Sequence, residues 1–413
     1  MKNNVLDNSS IRNCTSCGLC VSVCGKDALS LQLDNEGFYR PVIDEEKCVE
    51  CGICKMSCYK YDNSFQMSDE IVSSFAATNR NESQLLKSSS GGISRLLMEE
   101  CITRGYRVFG CMYNPQSEDA HSIVTDSLDD LDKFYGSKYF QSYTVDGFSE
   151  IIKDKSSQKY ALFGTPCQIY AFSKTRKYIK SPDNYLLVDI FCHGCPSMNL
   201  WKANLASVKK SYSQNVFDEI FFRTKKYGWH EYCIDFKSGT SSHSSKKIDD
   251  PFFDLFFSAD IMNEACYDCK ARSTMTYSDI RIGDFWGPRY ELNDKGVSAV
   301  LIGSPLGTNI FDTINDKIIV EDANFNEIIS AQSYGRTLTF NTERRKFLLE
   351  SIVNCDNLSS VHEKYVSMLP FSIRIKKTLK GVVKHLPKTM YFPIRKLLHL
   401  IYFTCKYPIR AIK

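Results

Sequence analysis

Residues 14–24 read CTSCGLCVSVC, and residues 48–58 read CVECGICKMSC. Each run sets three cysteines at intervals of three and a fourth beyond a three-residue gap: Cys14, Cys17, Cys20, Cys24, then Cys48, Cys51, Cys54, Cys58. Three cysteines so spaced wrap a short loop around one face of an iron–sulfur cube. The fourth opens a helix that points away and ligates the other cube. The rule assigns Cys14, Cys17, Cys20 and Cys58 to one 4Fe–4S cluster, and Cys48, Cys51, Cys54 and Cys24 to a second. Gly18 and Gly52 each follow a second cysteine and supply the backbone freedom such a loop demands. The alternatives are a zinc ribbon, which uses two CxxC pairs rather than two triplets, or a disulfide knot.

The 413 residues suggest two or three domains, and 43% hydrophobic with 24% charged residues describe a folded chain. A chain of this length builds its core without staples, so eighteen cysteines point to metal rather than bridges. The opening MKNNVLDNSS has no apolar core, and no run reaches the ~18 apolar residues of a spanning helix. A cytoplasmic chain is expected. Charge is uneven: residues 1–363 hold 40 Lys/Arg against 48 Asp/Glu, whereas 364–413 hold 12 Lys/Arg and no acid.

Outward from the cysteine-dense segment, the expected division is 1–60, a polar linker 61–72, a large domain 73–354 and a basic tail 355–413 with a helix near 358–366. In the large domain, FAAT (75–78), YRVFGCMY (106–113), HSIVT (121–125), KYALFG (159–164), YLLVDIFC (185–192) and SDIRIGDF (278–285) read as strands. Helical spacing runs from Ile93 to Cys101, over 148–153 and over 197–209. Strands separated by helices predict an α/β (α+β) architecture with a mixed sheet.

Cysteines also follow predicted strands, Cys167 in LFGTPCQ and Cys192 and Cys195 in VDIFCHGCPS, and CYDC adds Cys266 and Cys269 shortly before the strand SDIRIGDF. Open α/β sheets assemble their sites at strand carboxyl ends, so these cysteines suit a further metal centre or are simply buried.

The cysteine duplication resembles the bacterial two-cluster ferredoxins over residues 10–60, with Gly25 and Tyr59 where those carry proline. The strings SSSGGISRLL (88–97), GSKYFQS (136–142), GTPCQIYA (164–171), CHGCPS (192–197), FRTKKYGW (222–229), CYDCKAR (266–272) and DIRIGDFWG (279–287) resemble the coenzyme F420 hydrogenase/dehydrogenase beta-subunit family. This resemblance implies FAD and a third 4Fe–4S cluster, with hydride exchange between flavin and an organic substrate or a deazaflavin coenzyme. It also implies a role beside polysaccharide-synthesis enzymes in some bacteria. Carried onto this chain, the third cluster's ligands are Cys167, Cys192, Cys266 and Cys269, leaving Cys195 spare.

No GxGxxG occurs, so FAD rests on the resemblance. Ser90, Gly91 and Gly92 precede a helix and suit phosphate, or Ser89 or Ser90 is a simple N-cap. Lys138 is assigned to the flavin pyrophosphate or ring, or is a solvated lysine. Thr165 shapes the turn before Cys167. Gly283, Asp284 and Trp286 are assigned to the cofactor pocket, with Trp286 otherwise a core aromatic. His193 is the candidate proton carrier, or a hydrogen-bonder beside a ligand. Arg223, Lys225, Trp229 and His230 form a basic-aromatic patch suited to an anionic, planar substrate.

A flavin converts single electrons into hydrides, which defines the expected mechanism. The expected partners are a redox protein (ferredoxin or reductase) and a small-molecule substrate, with no nucleic acid. The tail, cut by Pro387, Pro393 and Pro408, is suited to an anionic membrane surface. Two alternatives stand: a non-catalytic electron-transfer subunit, and a structural zinc protein.

Overall fold

A computed structural model describes residues 3–6, 13–62, 65–179, 183–247 and 249–383. It divides into two compact units, 1–358 and 359–413. The cysteine-dense segment and the large domain therefore belong to one unit.

In the cysteine-dense segment, two short helices, α1 (Leu19–Ser22) and α2 (Ile53–Ser57), follow the two loops. An antiparallel hairpin, β1 (Leu29–Leu33) and β2 (Tyr39–Ile43), separates them. Residues 65–72 lead into β3 (Ser73–Asn79) and are pinned by side chains, the Tyr334 hydroxyl donating to Asp69 at 2.5 Å.

Next come α3 (Glu82–Lys87), α4 (Ile93–Thr103), β4 (Tyr106–Asn114), β5 (Asp119–Thr125), β6 (Ser142–Tyr143) and α5 (Val145–Lys153). Then follow β7 (Lys159–Gly164), α6 (Pro166–Thr175), β8 (Tyr185–Ile190) and α7 (Met198–Tyr212). A separate antiparallel sheet holds β9 (Glu219–Thr224), β10 (Cys233–Ser238) and β11 (Ser241–Lys246). Beyond α8 (Pro251–Phe256) lie β12 (Ile280–Asp284), β13 (Ser298–Ile302), α9 (Pro305–Asp312), β14 (Ile318–Asp322), α10 (Phe325–Ser330) and α11 (Thr342–Ser351).

The main sheet is mixed, with strand order β14-β3-β13-β12-β8-β7-β4-β5-β6. Strands β12, β8, β7 and β4 form its parallel centre, each paired in parallel with the next. Their apolar runs explain this, since a strand covered on both faces needs no alternation. YLLVDI is buried over five of its six residues. Because β3 and β12 both run antiparallel to β13, β3 shares their direction. The carboxyl ends of β3, β12, β8, β7 and β4 therefore lie along one edge.

Leu19 of α1 joins the core formed by Phe109, Phe148, Leu162, Ile169 and Phe172, tying the cysteine-dense segment to α5 and α6. The hairpin turn is clamped as well: Ser197 Oγ donates to the Glu36 carbonyl and Met198 N to that of Gly37.

In the second unit, α12 (Leu358–Ser367) runs on into it and α13 (Phe371–Val383) follows. Phe371, Ile373 and Ile375 are exposed. The prolines and residues 384–413 assigned to a membrane surface lie outside the described residues. Among the described residues no helix is long and apolar enough to cross a membrane.

Candidate metal centre

The two cysteine loops turn on glycines at φ +78° (Gly18) and +77° (Gly52), the left-handed region where a side chain is strained. Cys14, Cys17, Cys20 and Cys58 line one small cavity with Val5 and Tyr61. The loop from one repeat thus meets the trailing cysteine of the other. Burial pushes the Cys17 thiol up to about 12, and its neighbours Cys58 and Cys14 add to the rise. Burial raises Cys20 further, with Cys14, Cys17 and Cys58 again adding. Cys54 is raised by burial, and its cysteine neighbours are Cys24 and Cys51. Cys48 opens the second loop, its amide donating to the Asp44 carbonyl, and Cys51 is exposed.

Crowded, buried thiols resist ionisation unless a cation sits among them, and iron supplies that charge. The donor set fits a thiolate-ligated cube. No group of three or more His, Cys, Asp or Glu among the described residues is arranged to hold a single metal ion.

A second gathering of sulfur lies at the carboxyl edge of the main sheet. Cys167 sits in the first turn of α6, just past β7, with its Sγ 3.2 Å from Thr165 Oγ1. Thr165 and Gln168 close a capping box there, which fixes the turn. Cys192 and Cys195 follow β8, and Cys266 and Cys269 come from the loop beyond α8. Burial raises Cys192 to about 11, with Cys269 beside it adding to the rise. Cys266 is raised by burial, then by Cys195, Cys269 and Cys192. For Cys167 the cysteine neighbours are Cys269, Cys17 and Cys192. Cys17 belongs to the first loop, so the two sulfur sites adjoin. Tyr59, the residue in place of a ferredoxin proline, stands beside both: burial raises its phenol, and Cys269, Cys167 and Cys17 add to the rise. Its ring packs edge-on to Tyr170 at 5.0 Å.

The residues assigned to flavin divide into two groups. Several are engaged within the fold. Lys138 Nζ donates to the carbonyls of Cys111 (2.9 Å), Tyr135 (3.0 Å) and Lys133 (3.3 Å), and burial brings its pKa down to about 8. Ser90 Oγ donates to the Val297 carbonyl, and the Gly91 amide donates to Ser298 Oγ. A Cβ on Gly91 would strike the backbone of Ala77 and Ser298, so Gly91 is needed for close strand packing. Neither Ser89 nor Ser90 caps α4; its N-cap is Gly92, at φ +82° and with no side-chain cap.

The second group surrounds Trp286. Asp284 accepts from Arg223 at 2.6 and 2.9 Å and from Trp229 Nε1 at 2.7 Å. Trp286 is half-buried and stacks on Trp229 at 4.8 Å, with Arg223 and Lys247 near its ring at 5.4 and 5.7 Å. Arg223 Nε is buried without a hydrogen-bond partner. The set fits a planar, anionic group beside Trp286 and does not fit one at Lys138. Arg223, Lys225 and Trp229 are buried rather than a surface patch. Lys225 Nζ donates to the carbonyls of Ser90, Lys295 and Leu85.

His193 follows Cys192, its Nδ1 lying 2.9 Å from Ser333 Oγ and its ring 5.5 Å from that of Phe257. Phe257 also neighbours Lys247. The sulfur site and the Trp286 wall are therefore connected through His193, Phe257 and Lys247.

Residues 13–60 match the 4Fe–4S dicluster domain, and residues 157–327 match the C-terminal domain of the coenzyme F420 hydrogenase/dehydrogenase beta subunit. Residues 157–327 thus carry a domain of this beta-subunit family, with a dicluster domain ahead of it. A chain of the F420-reducing nickel–iron hydrogenase complex from Methanosarcina barkeri resembles it over 73% of this chain and 94% of that one, at 17% identity and a TM-score of 0.46. No curated protein matches.

Supports of the beta-subunit domain that sequence reading missed join segments far apart in sequence. Arg281 on β12 pairs with Asp189 on β8 at 2.7 and 2.5 Å, both buried, and donates to the Arg272 carbonyl. Arg272 in turn donates to the carbonyls of His193 and Arg336. The two arginines tie the segment after Cys269 to the strand leading into Cys192. A buried charge without a partner is costly, which gives a sequence signal: Arg281 lies between two buried isoleucines, Ile280 and Ile282.

Proposed function

We propose that this iron–sulfur protein of the beta-subunit family is a redox enzyme with three 4Fe–4S clusters. Single electrons pass between the dicluster domain and a third cluster on Cys167, Cys192, Cys266 and Cys269. One observation carries the reading: parallel strands β7 and β8 deliver Cys167 and Cys192 to one sheet edge beside the first dicluster loop, and the loop beyond α8 brings Cys266 and Cys269 to them. A flavin, when bound, supplies the exchange between single electrons and a hydride. The Trp286 ring is suited to hold its planar system, and Arg223 and Lys247 to offset its negative charge. His193 is placed between the third site and that wall to hold or pass a proton. The substrate is an organic molecule or a deazaflavin coenzyme.

Anaerobic purification with iron and sulfide reconstitution tests this. Twelve irons and one FAD per chain are expected. Eight irons and no FAD support the second reading, a non-catalytic electron-transfer subunit. That reading is favoured by Lys138, Ser90 and Asp284, whose polar groups are engaged within the fold.

A further inference from the structure

Five cysteines meet at the sheet edge, whereas a cube has four iron corners. The environment of Cys195 separates it from the other four. Its Sγ lies 3.7 Å from Gln141 Oε1 and 3.7 Å from the Pro196 carbonyl oxygen. The orientation of the Gln141 amide decides what this means. Nε2 donates to the carbonyls of Ser16 at 2.6 Å and Thr15 at 3.2 Å, both in the first dicluster loop. Turning the amide over would set Oε1 against those two carbonyl oxygens, so the hydrogen-bond network fixes Oε1 toward Cys195. An amide oxygen repels a thiolate and accepts from a thiol. A cluster ligand must be a thiolate.

Backbone bonds continue the connection. The Cys195 amide donates to Cys266 Sγ at 3.4 Å, and its carbonyl accepts from the Asn263 amide at 2.8 Å. Asn263 is fully buried, and its carbonyl accepts from the Cys266 amide at 2.8 Å. Its side chain donates to the Cys14 carbonyl at 3.0 Å and to Ser16 Oγ at 3.1 Å. A continuous ladder thus runs from Cys14, Thr15 and Ser16, through Gln141 and Asn263, to Cys195 and Cys266.

We propose that Cys195 is a bridging residue, its Sγ directed at Gln141 Oε1, rather than a ligand. With Gln141 as its acceptor, it is a positioning residue that couples the first-loop cluster to the sheet-edge cluster. This rests on the third cluster proposed above. The ladder fixes the spacing between the two sites and supplies bonded and hydrogen-bonded steps between them.

The test uses the full chain, reconstituted anaerobically, with Cys195→Ala, Cys195→Ser and Cys167→Ala. Iron content, EPR of the reduced protein and stopped-flow reoxidation are measured. Cys195→Ala is expected to keep the parent's iron content, weaken the magnetic interaction between clusters and slow electron passage several-fold. Cys195→Ser restores both, because its hydroxyl donates to Gln141. Cys167→Ala loses four irons. Twelve irons in the parent and eight in Cys195→Ala would overturn this proposal alone. Parental coupling and rate in Cys195→Ala would overturn it too, as would full iron in Cys167→Ala. Eight irons in the parent would instead overturn the third-cluster reading, and this proposal with it.

Discussion

The two cysteine loops share their spacing and their left-handed glycine, yet their surroundings are opposite. Gln141 and Asn263 hold the carbonyls of the first loop from one side. Thr144 Oγ1 donates to the Cys17 carbonyl at 2.7 Å, and Ser22 Oγ donates to that of Val145. The second loop leaves Cys51 exposed, and around it Val49, Ile53 and Met56 are 60%, 44% and 46% exposed. Repeating a motif sets how each loop folds on its cluster. What packs against the repeat decides which cluster faces inward and which faces solvent.

The glycines offer the sharpest way to break this comparison. Both substitutions to alanine impose a similar left-handed strain, about 1–2 kcal/mol. A Cβ on Gly18 also presses into Thr144 Oγ1, which its bond to Cys17 holds in place. The nearest atoms to a Cβ on Gly52 are those of the exposed Asn3 side-chain amide, which can turn away at the loss of one exposed bond to the Glu50 carbonyl. Gly18→Ala is expected to cost about 3 kcal/mol or more and to lower iron content. Gly52→Ala costs only the backbone strain. Denaturant unfolding of the two variants measures the gap, and equal losses would break the asymmetry.

Hydrogen bonds give a smaller contrast. Asn263→Ala removes the donor to Ser16 Oγ and one of two donors to the Cys14 carbonyl, which keeps Arg40 Nη1 at 2.7 Å, at roughly 2 kcal/mol for the pair. On the other side, Lys174 Nζ donates to the Cys58 carbonyl at 3.2 Å. Lys174→Met removes that bond and a long 3.8 Å ion pair with Asp62, and is expected to cost about 1 kcal/mol. The same unfolding curves sharpen the comparison, and a larger loss in Lys174→Met would reverse it.

Local features were legible in the sequence, and distant pairings were not. KYALFG became β7 over the same six residues because an unbroken apolar run bounded by glycine marks a buried strand. Helix α5 begins at Val145, three residues earlier than the spacing suggested, since Val145 and Gly147 are buried with it. The β1–β2 hairpin and the sheet of β9, β10 and β11 were missed; SSHSSK on β11 has no apolar alternation to read. Cys167 and Cys192 were visible as strand-end residues, because parallel neighbours must deliver their carboxyl ends together, whereas Cys266 and Cys269 reach the same edge on a loop. Arg223, by contrast, read only as one member of a basic-aromatic patch. Its partner Asp284 lies 61 residues away, and only the fold brings them into contact. The same holds for Gln141 and Asn263, whose bonds to the first loop span 125 and 249 residues.

EPR of the fully reduced chain tests most directly that the first-loop cluster and a sheet-edge cluster are neighbours. The account predicts a broad, interacting spectrum that simplifies when Cys269→Ser removes the sheet-edge cluster, while the two clusters of the dicluster domain persist. A parent spectrum already free of that interaction, and unchanged by Cys269→Ser, would contradict it.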